Sequence, residues 1–251
     1  MKRHIYFLSI LVTGLLNLVF LCGCSPDEEV TNDIHEKFQE NYEQAKAHSA
    51  TLALLRNKIN IATRTLGNVT IDVRREEAYQ TIKNAYFEQE TDPMLRTEAA
   101  YEYITLQNPT AISDVYRDFG HSFFDNLSTL ITLGKDENVL RRQLELLLNR
   151  YVYDRNYNVY MGLAAIALDS YVYWSDNIHE LNGTGYSVLT VFTSIVKADV
   201  ISAASTLIYC GTAALWTAIA TGGATALPTI GAVAGKAAVG SAIVGVSWLF
   251  R

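Results

Sequence analysis

Cysteine, proline and charge are scarce in this chain of 251 residues, which contains three Cys, four Pro and 18% charged residues. Its 20 Lys and Arg are outnumbered by 26 Asp and Glu, giving a net charge of −6. Proteins that bind nucleic acid usually carry a basic patch, so this balance argues against nucleic acid as a partner. With 49% apolar residues, the chain is long and apolar enough to bury a substantial core.

The N-terminus has the pattern of a secretory signal. Lys2 and Arg3 precede an uncharged apolar segment at residues 5–21. The following sequence, Leu21-Cys22-Gly23-Cys24, resembles the lipobox of bacterial lipoproteins. The resemblance implies that signal peptidase II recognises Leu21 and Gly23, cleaves before Cys24, and leaves acyl chains on Cys24 as a membrane anchor. The alternatives are an uncleaved anchor helix and ordinary secretion with cleavage elsewhere.

The residues after the lipobox indicate a location. Ser25 and the acidic residues behind it resemble the surface-export signal of Bacteroidota lipoproteins. This implies an outer-membrane lipoprotein exposed at the cell surface. Once Cys22 is removed and Cys24 is lipidated, Cys210 has no partner for an intramolecular disulfide and is expected to be a small buried hydrophobe.

Apolar residues recur every three or four positions through the middle of the chain, which predicts amphipathic helices. Asp92-Pro93 and Asn108-Pro109 each have the pattern of an N-cap followed by a first-position proline. No alternating strand pattern of useful length appears in this part. The predicted helices cover residues 34–66 with a break at His48 and Ser49, 74–90, two segments opening at those Pro pairs, one capped by Asp136, and 158–178.

The last third of the chain is almost free of charge, with 36 uncharged residues between Asp199 and Lys236. Gly222, Gly223 and Pro228 divide it into segments 200–221 and 229–250, which we predict to form a helical hairpin. Each segment would be about 33 Å long as a helix, enough to cross a bilayer core of about 30 Å. Insertion is predicted to be near balance, because few Val, Ile and Leu residues are opposed by Ser, Thr, Tyr and Lys236.

One face of the second segment carries small residues at steps of four, three, four and three. Such a glycine-zipper-like stripe lets another helix approach closely. The hairpin resembles the Gly/Ala-rich tails of certain Bacteroidota lipoproteins and the hydrophobic hairpin of colicin-type pore formers. The stripe consists of Gly231, Gly235, Ala238, Ala242 and Gly245.

The expected fold is therefore all-α, a multi-helix bundle with a C-terminal small-residue-rich hairpin. Its predicted segments are a signal peptide at 1–23, a lipidated tether at 24–33, an acidic helical bundle at 34–185 and an apolar hairpin at 186–251.

Candidate chemistry is sparse. His121 and Asp125 lie one helical turn apart, near Asp114 and Asp118, which would suit a weak metal cluster or a cryptic hydrolase. A solvated polar helix face is the expected interpretation, so we predict no catalytic residue, metal or cofactor. Tyr153, Tyr157 and Tyr160 are predicted to share a helix face within a tyrosine-rich region, either as an aromatic platform for glycan or headgroups or, in preference, as core.

Two functional hypotheses follow. The first is a lipid-anchored, non-enzymatic envelope protein with a binding or structural role, whose hairpin mediates close helix packing, self-association into a homo-oligomer, contact with an envelope partner or contact with the membrane. The alternative is a membrane-active, pore-forming or toxin-like protein whose hairpin inserts into a bilayer.

Overall fold

The computed structural model describes residues 32–93, 95–133, 136–177, 188–210 and 227–250. Within these ranges every regular element is helical, which confirms the all-α prediction. Residues 31–251 form one compact unit. The helices are α1 Asn32–Ala45, α2 Ala47–Thr65, α3 Ile71–Gln89, α4 Glu98–Ile104, α5 Thr110–Phe119, α6 His121–Leu133, α7 Glu137–Arg150, α8 Tyr157–Asn177, α9 Val188–Tyr209 and α10 Leu227–Leu249.

The buried apolar side chains of the first two helices lie at the positions that the apolar spacing predicts. In α1 the buried side chains recur at three- and four-residue steps, as an amphipathic helix requires. Lys46 separates α1 from α2, two residues before the predicted break. The first helix begins at Asn32, inside the range predicted as a tether. The buried residues of α1 are Ile34, Phe38, Tyr42 and Ala45.

Two predictions about the middle helices are wrong. Asp92-Pro93 forms a turn in which Asp92 O accepts from Leu95 N and Arg96 N, and α4 begins later, behind the N-cap Thr97. The helix that opens at Asn108-Pro109 is predicted to continue to Gly134, but it is interrupted at Gly120, whose φ of 79° lies in the region that favours glycine. Gly120 therefore ends α5, and α6 starts anew.

The two apolar helices α9 and α10 pack together as a hairpin, as predicted. The first of them begins at Val188, twelve residues before the predicted start at 200, and residues 211–226 lie outside the described part of the chain. Around the hairpin, α9 contacts α4, α5, α6 and α8, while α10 contacts α1, α2 and α3. The amphipathic helices therefore cover the hairpin from both sides.

Both helices of the hairpin are long and apolar enough to cross a membrane by length and composition. In this fold most of each is buried against protein: 78% of the most apolar stretch of α9 and 61% of that of α10. The core helix of a helical bundle can meet the same criteria of length and composition. In the described part of the chain, these two helices form the centre of the bundle.

Candidate functional site

The predicted lipidation residues Leu21, Gly23 and Cys24, and the predicted division at residue 185, lie outside the described residues. The small-residue stripe lies within them, against α2 and the end of α8. A Cβ added at Gly231 would lie 3.7 Å from Ala47 Cβ, and one at Gly235 would lie 3.4 Å from Thr51 Oγ1. At Gly245 the nearest atom would be Trp174 Cη2, at 3.3 Å. Ala238 and Ala242, both buried, complete the stripe within the same core cluster as Leu52 and Leu55 of α2.

Among the described glycines of α10, the tightest position lies outside the stripe. A Cβ added at Gly240 would lie 1.9 Å from Ser202 Oγ and 2.7 Å from Ser202 Cβ. Atoms cannot approach so closely, so α9 and α10 fit together only because residue 240 has no side chain. The three- and four-residue spacing that defined the stripe did not include this position.

A cluster of ionisable side chains lies fully buried where α2, α8 and α9 meet. His48 of α2 is 0% exposed and places its two ring nitrogens against two carboxylates. Its Nδ1 lies 3.1 Å from Asp169 Oδ2, and its Nε2 forms an ion pair with Asp199 Oδ1 at 2.8 Å. The hydroxyl of Ser170 donates to the second oxygen of Asp199. We call His48, Asp169 and Asp199 the buried ionic cluster.

Asp169 also caps the N-terminus of α2. Its Oδ2 accepts from Ser49 N at 3.0 Å and from Ser49 Oγ at 2.5 Å. The first turn of a helix has N–H groups without intrahelical partners and a positive dipole end, both of which stabilise a carboxylate. Because Lys46 provides no side-chain cap for α2, the cap comes from α8 instead. This interaction stabilises the first turn of α2.

The carboxylates keep His48 protonated. Burial alone would lower the pKa of His48, but the charge of Asp199 and the hydrogen bonds that His48 donates to Asp169 and Asp199 outweigh burial and raise it to about 9. The cluster therefore contains a histidinium between two carboxylates at neutral pH.

This protonation makes folding stability depend on pH. Folded protein retains the proton on His48 up to about pH 9, whereas unfolded chain loses it near 6.5. We expect the contribution of His48 to the free energy of unfolding to be fully present below pH 6.5 and to fall by about 1.4 kcal/mol per pH unit as pH rises towards 9. Denaturant titrations at several pH values measure this slope. A His48→Gln variant should lose it, and an unchanged slope in that variant would contradict the assignment.

A second buried ion pair ties α10 to Glu90, the residue that caps the C-terminus of α3. Lys236 Nζ lies against Glu90 Oε2, with the Glu90 side chain 5% exposed. The ammonium also lies 5.1 Å from the centre of the Tyr86 ring, a cation–π distance. Asp199 and Lys236 flank the uncharged stretch of the sequence. Each forms an ion pair with a residue outside the hairpin.

The candidate cluster around His121 does not come together as a metal site. His121 stacks on Tyr116 with ring centres 4.3 Å apart. Asp114 and Asp118 both pair with Arg117, and Tyr103 OH donates to Asp114. Across the described ranges, no group of three or more His, Cys, Asp or Glu is arranged to hold a metal ion.

The predicted tyrosine face is wrong, because α8 begins only at Tyr157. Tyr153 lies in the turn before it and is fully exposed, whereas Tyr160 is buried and stacks on Phe123 at 4.2 Å. Most of this aromatic region therefore belongs to the core and its edge, as preferred above.

The buried ionic cluster was missed in the sequence because its parts are far apart in the chain. His48 is separated from Asp169 by 121 residues. In the sequence, His48 and Ser49 only interrupt the regular spacing of apolar residues. Asp199 stands there only as a single charge before the uncharged stretch. The local indication of a buried partner is a polar residue at a position where the three- and four-residue spacing of apolar residues predicts a core residue.

Comparisons with protein-family models, with curated proteins and with solved structures gave no match.

Proposed function

We propose that the chain is a lipid-anchored protein of the bacterial cell envelope, held at the outer membrane by acyl chains on Cys24, with a binding or structural role rather than an enzymatic one. The lipobox-like sequence Leu21-Cys22-Gly23-Cys24 supports the anchor, and the burial of the ionic cluster supports the non-enzymatic role. His48 and Asp199 are both 0% exposed, so no substrate reaches this histidine, which among the described residues is held between two carboxylates. An acid–base catalyst must lie within hydrogen-bond reach of the proton that it moves.

In this proposal the hairpin serves close helix packing. The small residues of α10 let α2 and Trp174 approach closely on one side. Gly240 lets α9 approach closely on the other. The two paired charges of the hairpin hold it to helices of the surrounding bundle. The exposed surface of the amphipathic helices is then the part available to an envelope partner or a second copy.

A membrane-active protein is the second candidate, and the length and apolarity of α9 and α10 favour it. Insertion would require the bundle to open and both ion pairs to separate. An unpaired charge at the centre of a bilayer costs at least about 2.5–3.5 kcal/mol. The buried pairs therefore oppose spontaneous insertion, which is why we place this function second.

The anchor is tested by substitution at Cys24. The full chain is expressed in a Gram-negative host, and the mature protein is analysed by mass spectrometry and membrane fractionation. We expect the wild-type chain to start at an acylated Cys24 and to fractionate with membranes. Cys24→Ala should lose the acyl mass, while the matched control Cys22→Ala should be processed like wild type. Acylated or correctly cleaved Cys24→Ala protein would overturn the proposal.

A further inference from the structure

A pocket of about 210 Å³ opens between α2, the end of α8 and the end of α10. Its floor is apolar and buried, formed by Leu52 and Leu55 of α2 with Ala242 and Val246 of α10. Leu249 also lines the pocket and is 41% exposed. The pocket is therefore a cleft with an apolar interior that opens to the surface.

A glycine helps to shape the wall of this pocket. Gly245 lies beside Trp174, and a Cβ there would meet the indole edge at 3.3 Å. Both residues line the pocket. A larger side chain at 245 would either displace the indole or project into the cleft, so this position controls the space available.

The polar edge of the pocket carries a positive charge, that of Arg56. Among the described residues that line it, Arg56 is the only charged one, and its guanidinium donates to Asn177 Oδ1 at 2.6 Å. Burial raises the pKa of Tyr173, while a hydrogen bond from Arg56 opposes that rise, so the guanidinium also reaches the phenol. A guanidinium has five N–H donors in a fork that suits a carboxylate.

We propose that this pocket binds a single-chain anionic amphiphile, a fatty-acid carboxylate, with hydrocarbon on the apolar floor and the carboxylate on Arg56. The volume fits this class. A cavity of about 150 Å³ holds benzene, and drug-sized ligands take about 300 Å³ or more. The pocket therefore holds a short stretch of hydrocarbon, and the rest of the chain leaves through the open side. This gives the protein a ligand and does not depend on the anchor at Cys24.

The test uses residues 25–251, which contain the whole compact unit that begins at residue 31. Calorimetric titration with decanoate should show saturable binding at one site. Arg56→Met, which keeps the apolar stem, should weaken binding at least tenfold. Lys58→Met removes a cation from the same helix outside the pocket lining and should leave binding unchanged. Decyltrimethylammonium, with the opposite charge, should bind at least tenfold more weakly than decanoate.

Two variants test the place of binding. Gly245→Leu fills the wall and Thr63→Phe obstructs the pocket from another lining position, so each should abolish binding. Thr63→Phe leaves the floor intact, which keeps the test valid if Gly245→Leu fails to fold. Absence of saturable decanoate binding, or equal binding by Arg56→Met and by decyltrimethylammonium, would overturn the proposal. Undiminished binding by folded Thr63→Phe would place the ligand elsewhere and overturn it too.

Discussion

Replacing Asp199 by alanine is expected to lower the free energy of unfolding by about 3–5 kcal/mol, the range found when one partner of a buried ion pair is removed. Asp199 is 0% exposed and faces His48 Nε2 at 2.8 Å. Without it, His48 retains only Asp169, and the hydroxyl of Ser170 loses its acceptor. Denaturant unfolding at pH 7, followed by circular dichroism, measures the change.

Two further variants identify the cause of that loss. Asp125→Ala removes an exposed carboxylate from α6 and should change stability by less than about 0.5 kcal/mol. In the double variant His48→Met, Asp199→Leu, both charges are replaced by apolar groups, an exchange that is often neutral or stabilising. The double variant should therefore be more stable than Asp199→Ala. A loss below 1 kcal/mol for Asp199→Ala would show that the ion pair contributes little to the fold.

The same substitution at two glycines of α10 should have opposite effects. Gly240→Ala places a Cβ 2.7 Å from Ser202 Cβ and forces α9 and α10 apart, whereas Gly231→Ala finds its nearest neighbour at 3.7 Å. Overpacking costs about 1–3 kcal/mol, while Gly→Ala in an open helix position contributes up to about 1 kcal/mol. The helix-propensity gain is common to both variants, so we expect Gly240→Ala to be less stable than Gly231→Ala by about 1–3 kcal/mol in thermal or denaturant unfolding.

A compensating substitution checks that the clash with Ser202 is responsible. Ser202→Gly removes both atoms that the new Cβ would meet, leaving Ile104 O at 3.5 Å as the next neighbour. The double variant Ser202→Gly, Gly240→Ala should regain stability relative to Gly240→Ala alone. Equal stability of Gly240→Ala and Gly231→Ala would mean that the hairpin tolerates a wider separation than the structure shows.

Local patterns were enough to predict most helices. The buried face of α3, formed by Ala78, Ile82, Ala85 and Tyr86, follows from its spacing alone. Asp136 caps α7 as predicted, with its side chain accepting from Val139 N. Such features depend on neighbours within one or two turns of the chain, and the sequence displays them directly.

Features that depend on distant neighbours were not predictable in this way. The local pattern around the single Gly120 does not show that the helix ends there. Gly240 matters because of Ser202 on another helix, and its spacing from the stripe gives no indication of that contact. The partners of Asp199 and Lys236 lie on α2 and at the C-terminal cap of α3, so their charges could be counted in the sequence but their pairing could not.

The central claim is that the apolar hairpin is the buried core of the folded protein and that membrane attachment comes from the lipid on Cys24. Hydrogen exchange of residues 25–251, without lipid and with or without liposomes, tests it most directly. We predict that the amides of α9 and α10 are among the best protected in buffer and that liposomes leave their protection unchanged, with no release of an entrapped dye. Loss or redistribution of that protection on adding liposomes, together with dye release, would contradict the claim and establish the hairpin as a membrane element.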